Sequence, residues 1–150
     1  MIAATVAYDL VFVVHVLAAV ATLTVFVAMR SAAQVVARGA DQATQRAQFP
    51  RRRNWAARVL HLLVVTGLVM SLSGDSSVSL TRPWIGLGIL CYLAAAGHLE
   101  ARTLPLERVV GEVVDHDGAA SPERGRQLTR SIDTLLAIVA VALVAMLVQF

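Results

Sequence analysis

Three histidines lie inside long apolar stretches of this 150-residue chain, and they are the side chains there best suited to chemistry. They are His15, His61 and His98. An ionisable side chain in a bilayer is costly, so each of them is a functional hypothesis by default. Two imidazoles on facing helices of a membrane bundle can hold the iron of haem b. The sequence therefore predicts these three histidines as cofactor-binding residues, with haem b as the candidate cofactor and any other metal unknown.

The depths of the histidines limit which of them could share one iron. At 1.5 Å of rise per residue, His61 and His98 lie roughly 9 Å and 3 Å from the same side of the membrane. His15 lies roughly 12 Å from the opposite side. The pair His61 and His98 meets the depth condition loosely, and His15 with His61 meets it less well. The alternative for each ring is structural: a hydrogen bond to a backbone carbonyl or contact with a lipid headgroup.

Other potential metal ligands are few and scattered. Cys91 is the single cysteine, so no intrachain disulfide forms and a dithiol oxidoreductase is excluded. The methionines of the apolar segments are not clustered, which gives little support to Cu(I) binding. The acidic run 115–117 contains a histidine, but adjacent loop residues rarely converge on one ion, and we interpret it as a solvated turn. No nucleophile–base pair or phosphate-binding loop is present, so an enzyme is the less favoured class.

Four long apolar segments must position the histidines. Hydrophobic residues make up 57% of the chain and charged residues only 15%, a composition more apolar than that of a soluble domain. A helix needs about 20 apolar residues to cross a hydrocarbon core. We predict four transmembrane helices in a single domain of residues 1–150, at about residues 7–29, 55–73, 83–99 and 132–149. The predicted fold is all-α, an integral membrane up-down four-helix bundle.

The arginines predict how the bundle is oriented. Residues 30–54 carry six arginines and residues 101–130 carry five, whereas the loop between the second and third spans carries only Arg82. Cytoplasmic loops of membrane proteins are enriched in basic residues, so the first and third loops should be cytoplasmic and both termini outside. No basic residue precedes Arg30, so we expect the first span to be retained rather than cleaved. The predicted location is the cytoplasmic (inner) membrane of a bacterium.

The arginine-rich loops are expected to contain helical segments. The Ala- and Gln-rich start of the first loop predicts that the first helix continues to about Gly39. Ser121-Pro122-Glu123 combines an N-cap, a proline and an early acid, so the last helix should begin there. Apolar residues at helical spacing predict a short amphipathic cytoplasmic helix between spans three and four, on the membrane surface or against the bundle. They are Leu106, Val109, Val110, Val113 and Val114.

One face of the third span combines small residues with a histidine. Gly88, Cys91 and Ala95 share this face with His98. Small residues allow helices to approach closely in lipid, so helix packing is the favoured interpretation. A cavity wall that leads to His98 is the alternative.

Polar residues near the span ends allow further interpretations. Asn54 and Arg58 share a helix face with His61, which forms either a polar vestibule or an arginine reaching lipid phosphates beside a packed histidine. Asp9 and Asp133 lie near span boundaries at opposite ends. A proton-coupled transporter usually needs a carboxylate deeper in a span, so that class is disfavoured.

Three segments carry a resemblance to known membrane proteins. They are FVVHVLAAVATLTVFVAMR (12–30), FPRRRNWAARVLHLLVVTGLVMSLSG (49–74) and LLAIVAVALVAMLVQF (135–150). Together they resemble an uncharacterised family of bacterial four-helix integral membrane proteins, which is distantly similar to copper-resistance-D-type membrane domains. The resemblance implies the four-helix fold, a role for His15 and an association with metal or haem handling. It implies no established activity.

Two functions from different classes follow from the sequence. The first is a non-catalytic oligomeric membrane module with a channel-like or assembly role, whose partners are the lipid bilayer and a second copy or another membrane protein. The small-residue face and the amphipathic segment suggest it. The alternative is a haem b- or metal-binding membrane protein. The formal charge of +3 is small, so nucleic acid is not an expected partner.

Overall fold

Long helices dominate the computed structural model of the chain, which describes residues 2–49, 55–72 and 82–148. Within these ranges the structure contains six α-helices and one π-helical turn, and no strand. The α-helices are α1 (Ile2–Ala37), α2 (Gln42–Gln48), α3 (Ala56–Leu72), α4 (Pro83–His98), α5 (Leu104–Asp117) and α6 (Pro122–Val148). The prediction of an all-α chain is therefore confirmed.

In the described part of the chain, three helices are long and apolar enough to cross a membrane. They are Val6–Ala37, the continuous helix Pro83–Asp117 and Pro122–Val148. α3 is apolar as well, but its 17 residues give a length of only about 26 Å. Many large apolar side chains of these helices, Leu10, Leu17 and Val144 among them, are exposed. Exposure on this scale is typical of helices that face lipid rather than water.

The long helices pack in the order α3, α1, α6, α4. α1 contacts α3 on one side and α6 on the other, α4 contacts α6, and α3 and α4 meet over a smaller area. The core between them contains Phe26 of α1, Leu60 of α3 and Leu135 of α6. Each is 2% exposed or less. Every long helix thus buries one narrow stripe and leaves the rest of its apolar surface outside.

Two helix boundaries lie where the sequence places them. α1 continues past Arg30 to Ala37, and Gly39 follows with a φ of +69°. This left-handed conformation ends many helices and suits glycine, which has no Cβ. α6 begins at Pro122, where the missing N–H of proline costs no helical hydrogen bond. The predicted extension of the first helix and the predicted start of the last one are both confirmed.

The helix that begins at Pro83 does not stop at the predicted end of the third span. α4 continues through a π-helical turn, Leu99–Thr103, directly into α5. The N–H of Leu104 donates to the carbonyl of Leu99, five residues back. Pro105 explains the wider turn, because proline has no N–H for the carbonyl one turn earlier and its ring crowds that turn.

The predicted amphipathic helix is therefore the distal part of a longer helix rather than a separate element. Pro83–Asp117 runs for 35 residues without a break. Val110 and Val114 are buried, and α5 packs against α2 and α6. Of the two placements that the sequence allowed, the structure has the one against the other helices.

A short helix that the sequence analysis did not predict fills the segment after α1. Asp41 is the N-cap of α2, and its carboxylate accepts a hydrogen bond of 2.8 Å from the N–H of Thr44. This bond from the Thr44 N–H holds the pKa of Asp41 below its usual range. α2 contacts α1 and α5, so it links the end of α1 to the distal part of the helix that begins at Pro83.

The backbones of α1 and α6 approach each other very closely at Gly125. A Cβ added to Gly125 would lie only 2.3 Å from the backbone N of Ala37 and 2.7 Å from the carbonyl carbon of Val36. Any larger residue must push the two helices apart. Gly125 therefore sets the distance between α1 and α6 beside the start of α6.

Gly125→Ala should destabilise the protein, because the added methyl collides with backbone rather than with a flexible side chain. We expect the free energy of unfolding to fall by about 1–3 kcal/mol, as for other overpacked sites. The matched control is Gly111→Ala in α5, where an added Cβ meets nothing within 4 Å. The control should be neutral or more stable by up to about 1 kcal/mol, because alanine favours helix. Unfolding followed by circular dichroism in mixed micelles measures both; equal effects would contradict the close approach.

Candidate functional site

His15 lies at the interface between α1 and α3. Its Nδ1 is 2.9 Å from the hydroxyl oxygen of Thr66. That hydroxyl donates to the carbonyls of Leu62 and Leu63, so it accepts from His15, whose Nδ1 carries the proton. Gly67 makes room for the ring, because a Cβ there would lie 3.1 Å from its Cε1. The arrangement joins two helices and leaves Nε2 of His15 as the nitrogen with a free lone pair.

His61 is exposed at the interface between α3 and the π-helical turn. Its Nδ1 donates to the carbonyl of Ala57 at 2.5 Å. Its Nε2 lies 3.8 Å from a carboxylate oxygen of Glu100, an ion pair that forms when the ring holds a second proton. The rings of His61 and Tyr92 pack edge to face, with their centroids 6.0 Å apart. His61 therefore lies at the level of Glu100, close along the helix to His98.

His98 belongs to a closed polar network between α4 and α6. Its Nε2 donates to the carbonyl and hydroxyl oxygens of Ser131, at 3.1 and 3.0 Å. The hydroxyl of Ser131 is 2.8 Å from that of Thr103, and the Thr103 hydroxyl donates to the carbonyl of His98 at 3.5 Å. Ser131 and Thr103 are both buried. In this network Nε2 of His98 is the hydrogen-bond donor.

The three histidines do not share partners. His15 bonds to α3, His61 faces Glu100 in the π-helical turn, and His98 bonds to α6. His61 and His98 lie at similar levels, but their rings do not face a common point. Nε2 of His61 faces Glu100, whereas Nε2 of His98 donates to Ser131 of α6. Within residues 2–49, 55–72 and 82–148, no group of three or more His, Cys, Asp or Glu side chains could hold a metal ion. Each ring has the interhelical or backbone hydrogen bonds of a structural residue.

The small-residue face of the third span packs within the chain. Cys91 and Ala95 are buried, and a Cβ added to Gly88 would lie 3.5 Å from the Cε of Met146 in α6. The face that includes His98 therefore meets α6, in keeping with the packing interpretation. This face is therefore occupied by contacts inside the protein.

Two smaller predictions have different outcomes. The run Asp115–Asp117 is exposed to solvent, as predicted, but it forms the last turn of α5 rather than a loop, and the chain turns at Gly118, with a φ of +86°. Asn54 lies outside the described residues. Arg58, which shares the predicted polar face, stacks on the Trp55 ring with its guanidinium 4.7 Å from the centroid.

A further buried polar site lies around Gln45, beyond His98 and Ser131 at the same end of the helices. We call α2, α5 and residues 122–130 of α6 the arginine-rich end. Gln45 is 1% exposed. Its Nε2 donates to the carbonyls of Ala40 and Ala120, at 2.9 and 3.5 Å, and its Oε1 accepts from the N–H of Ala120 at 2.9 Å. One side chain thus joins the loop after α1 to the loop before α6.

Arginines add two further links near this end. Arg46 of α2 donates to the carbonyl of Val114 in α5 at 3.5 Å. Arg30 of α1 donates to the carboxylate of Asp133 in α6 at 2.5 Å, with both side chains roughly 40% exposed. Asp133 is therefore the partner of an arginine and not an isolated carboxylate in the bundle. The two links connect the ends of four helices.

Sequence reasoning missed the roles of Gln45 and Ser131. A glutamine in a short polar segment gives no periodic signal, and a serine near a span boundary is ordinary. The only local signal was Asp41, followed three residues later by Thr44, which is compatible with a helix N-cap. Comparison adds no further guide, because no family model matches the chain, and no curated protein or solved structure is significantly similar to it.

Gln45→Leu should loosen the arginine-rich end without unfolding the long helices. The substitution keeps the side-chain volume but leaves the buried N–H of Ala120 without its acceptor, at a cost of about 1–3 kcal/mol. We expect faster amide exchange in residues 40–48 and 118–122, with unchanged protection in the apolar parts of α1 and α6. Gln48→Leu, an exposed position on the same helix, is the control and should change little. Unchanged amide exchange at Ala120 would show that its hydrogen bond to Gln45 does not stabilise this end.

Proposed function

We propose that the chain is a non-catalytic, multi-pass module of the bacterial cytoplasmic membrane that acts in assembly with a second copy or another membrane protein. The observation that carries the proposal is the construction of the arginine-rich end. Buried Gln45 and the link from Arg46 to Val114 hold three helical segments together there. Connecting segments at a protein surface are often functional, and here they are held in a defined structure by buried hydrogen bonds.

The proposed topology has four spans, with α3 as the fourth beside the three longer helices. Its length of about 26 Å is close to a hydrocarbon core of about 30 Å. The stacked pair Trp55 and Arg58 stands at its start, and Trp and Arg are typical anchors at a membrane surface. Arginines concentrate after α1, around the start of α5 and at the start of α6. These segments would then be cytoplasmic and both termini outside, in an up-down four-helix bundle.

The interior of the proposed bundle supports a module better than an enzyme. Its polar side chains Thr22 and Thr66 donate to carbonyls of their own helices, and His98 is held by Ser131. Interfaces through the small-residue face are already filled by α6. An assembly contact is therefore best sought on the exposed surface of α5, where Arg108, Val109 and Glu112 lie side by side.

A photo-reactive residue at position 112 tests the assembly role in intact membranes. We expect Glu112 replaced by a benzophenone amino acid to give one defined protein adduct, either at twice the monomer mass or with one identifiable membrane protein. The same probe at Val141, an exposed apolar position of α6, is the control and should give no protein adduct. Monomer alone from position 112, or the same adducts from both positions, would overturn the proposal.

A second candidate function is haem b or metal binding, and one observation favours it. In the described part of the chain, His15 uses Nδ1 in its bond to Thr66, which leaves the lone pair of Nε2 for a ligand. His61 likewise bonds through Nδ1. The kinship with copper-resistance-D-type membrane domains is a proposal of the same kind, and it rests on the segment around His15 and the basic segment before α3.

An absorption spectrum of protein purified from haem-replete cells separates the two functions. For haem binding we expect a Soret band that His15→Ala or His61→Ala abolishes. His98→Ala is the matched control and should retain the band, because Nε2 of His98 is bonded to Ser131. A colourless, metal-free wild-type protein would eliminate the cofactor function and leave the assembly role intact.

A further inference from the structure

A surface recess of about 290 Å³ lies between α1 and α6 at the arginine-rich end. It is one turn beyond the ion pair of Arg30 and Asp133. Gly125 brings the two helix backbones together beside it. The recess is lined by Gln34, Ala37, Arg38, Arg126, Thr129 and Arg130.

Three arginines from two helices line this recess. Arg38 comes from the end of α1, and Arg126 and Arg130 are one turn apart on α6, about 6 Å along its axis. Like charges four residues apart destabilise a helix, so the α6 pair gains from an anion placed between its members. Arginine suits phosphate oxygens, because its planar group donates two parallel hydrogen bonds.

The recess keeps an excess of positive charge. Glu123 pairs with Arg126 at 2.7 Å. Its hydrogen bond and attraction to Arg126, with the weaker attraction of Arg130, hold the pKa of Glu123 below its usual range. One carboxylate therefore faces three guanidinium groups. The neighbouring Arg30 is matched by Asp133 and adds no net charge, so the local balance favours a bound anion.

The depth of the recess matches the phosphates of a lipid leaflet. Residues 134–148 of α6 contain no charged side chain. The rise from Arg130 to Val148 is about 27 Å, close to the hydrocarbon thickness of about 30 Å. Arg130 then lies at the headgroup level, with Arg126 about 6 Å further out. A free anion has no reason to prefer this depth, whereas a phospholipid places its phosphate there.

We propose that the recess lined by Arg38, Arg126 and Arg130 binds the phosphodiester of an anionic phospholipid. The guanidinium groups donate to its oxygens, and the acyl chains lie along the exposed apolar surface below. Basic pockets between helices at the cytoplasmic side are suited to such headgroups. The proposal uses the membrane insertion inferred above but not the assembly role, so the position-112 crosslinking result does not decide it.

Lipid titrations of the purified full chain in mild detergent test the proposal. We expect phosphatidylglycerol to raise the thermal stability of the wild type and to remain bound in native mass spectrometry, with phosphatidylcholine of the same chains much weaker. Arg38→Gln with Arg130→Gln should weaken phosphatidylglycerol binding on the order of 30-fold, the effect of losing two arginine contacts at a membrane surface. Inorganic phosphate at millimolar concentration should not compete.

The matched control removes the same charge from the same end of the molecule. Arg108→Gln with Arg124→Gln changes two exposed arginines outside the recess and should leave phosphatidylglycerol affinity within about twofold of the wild type. Equal losses in the two double variants, or equal binding of the two lipids by the wild type, would overturn the proposal. Full competition by inorganic phosphate would also overturn it, because the site would then bind a soluble anion. The wild-type measurements stand even if a variant fails to fold.

Discussion

Helices in lipid are not driven together by the hydrophobic effect, because lipid tails are as apolar as leucine. Association then depends on close packing and on the few hydrogen bonds that cross between helices. Among the residues that the structure describes, each contact between neighbouring long helices has at least one polar side-chain link. The links are His15 to Thr66, His61 to Glu100, His98 to Ser131 and Arg30 to Asp133. Three of these four links involve His15, His61 or His98.

This distribution changes what a histidine in a span signifies here. The cost of an ionisable group in lipid makes function the default hypothesis, but a neutral imidazole with a partner on the next helix is also a good interhelical link. For His98 the link is a closed network with Ser131 and Thr103. For His15 the ring packs against Gly67, where a Cβ would crowd it, in addition to its hydrogen bond with Thr66. Neither arrangement requires a cofactor to account for the residue.

Features with a repeating or local signal could be predicted from the sequence, and features that depend on partners distant along the chain could not. Apolar length and terminal signals gave the all-helical class, the end of α1 near Gly39 and the start of α6 at Pro122. The π-helical turn was missed because Pro105 follows it inside an otherwise continuous pattern. α2 was missed because a seven-residue helix has almost no periodicity. Gln45 meets Ala120, 75 positions away, and no spacing rule anticipates such a contact.

The energies of these links suggest why the arginine-rich end matters for the whole fold. Measured interhelical hydrogen bonds in membranes average only about 0.6 kcal/mol, so four of them contribute modestly. A ligand present at 100 times its dissociation constant stabilises a folded state by about 2.7 kcal/mol. The stabilisation from an anionic lipid held between α1 and α6 would therefore equal that of several interhelical hydrogen bonds together. The lipid would act where Gly125 already brings the two backbones together, so the surrounding leaflet would contribute to holding α1 and α6 in contact.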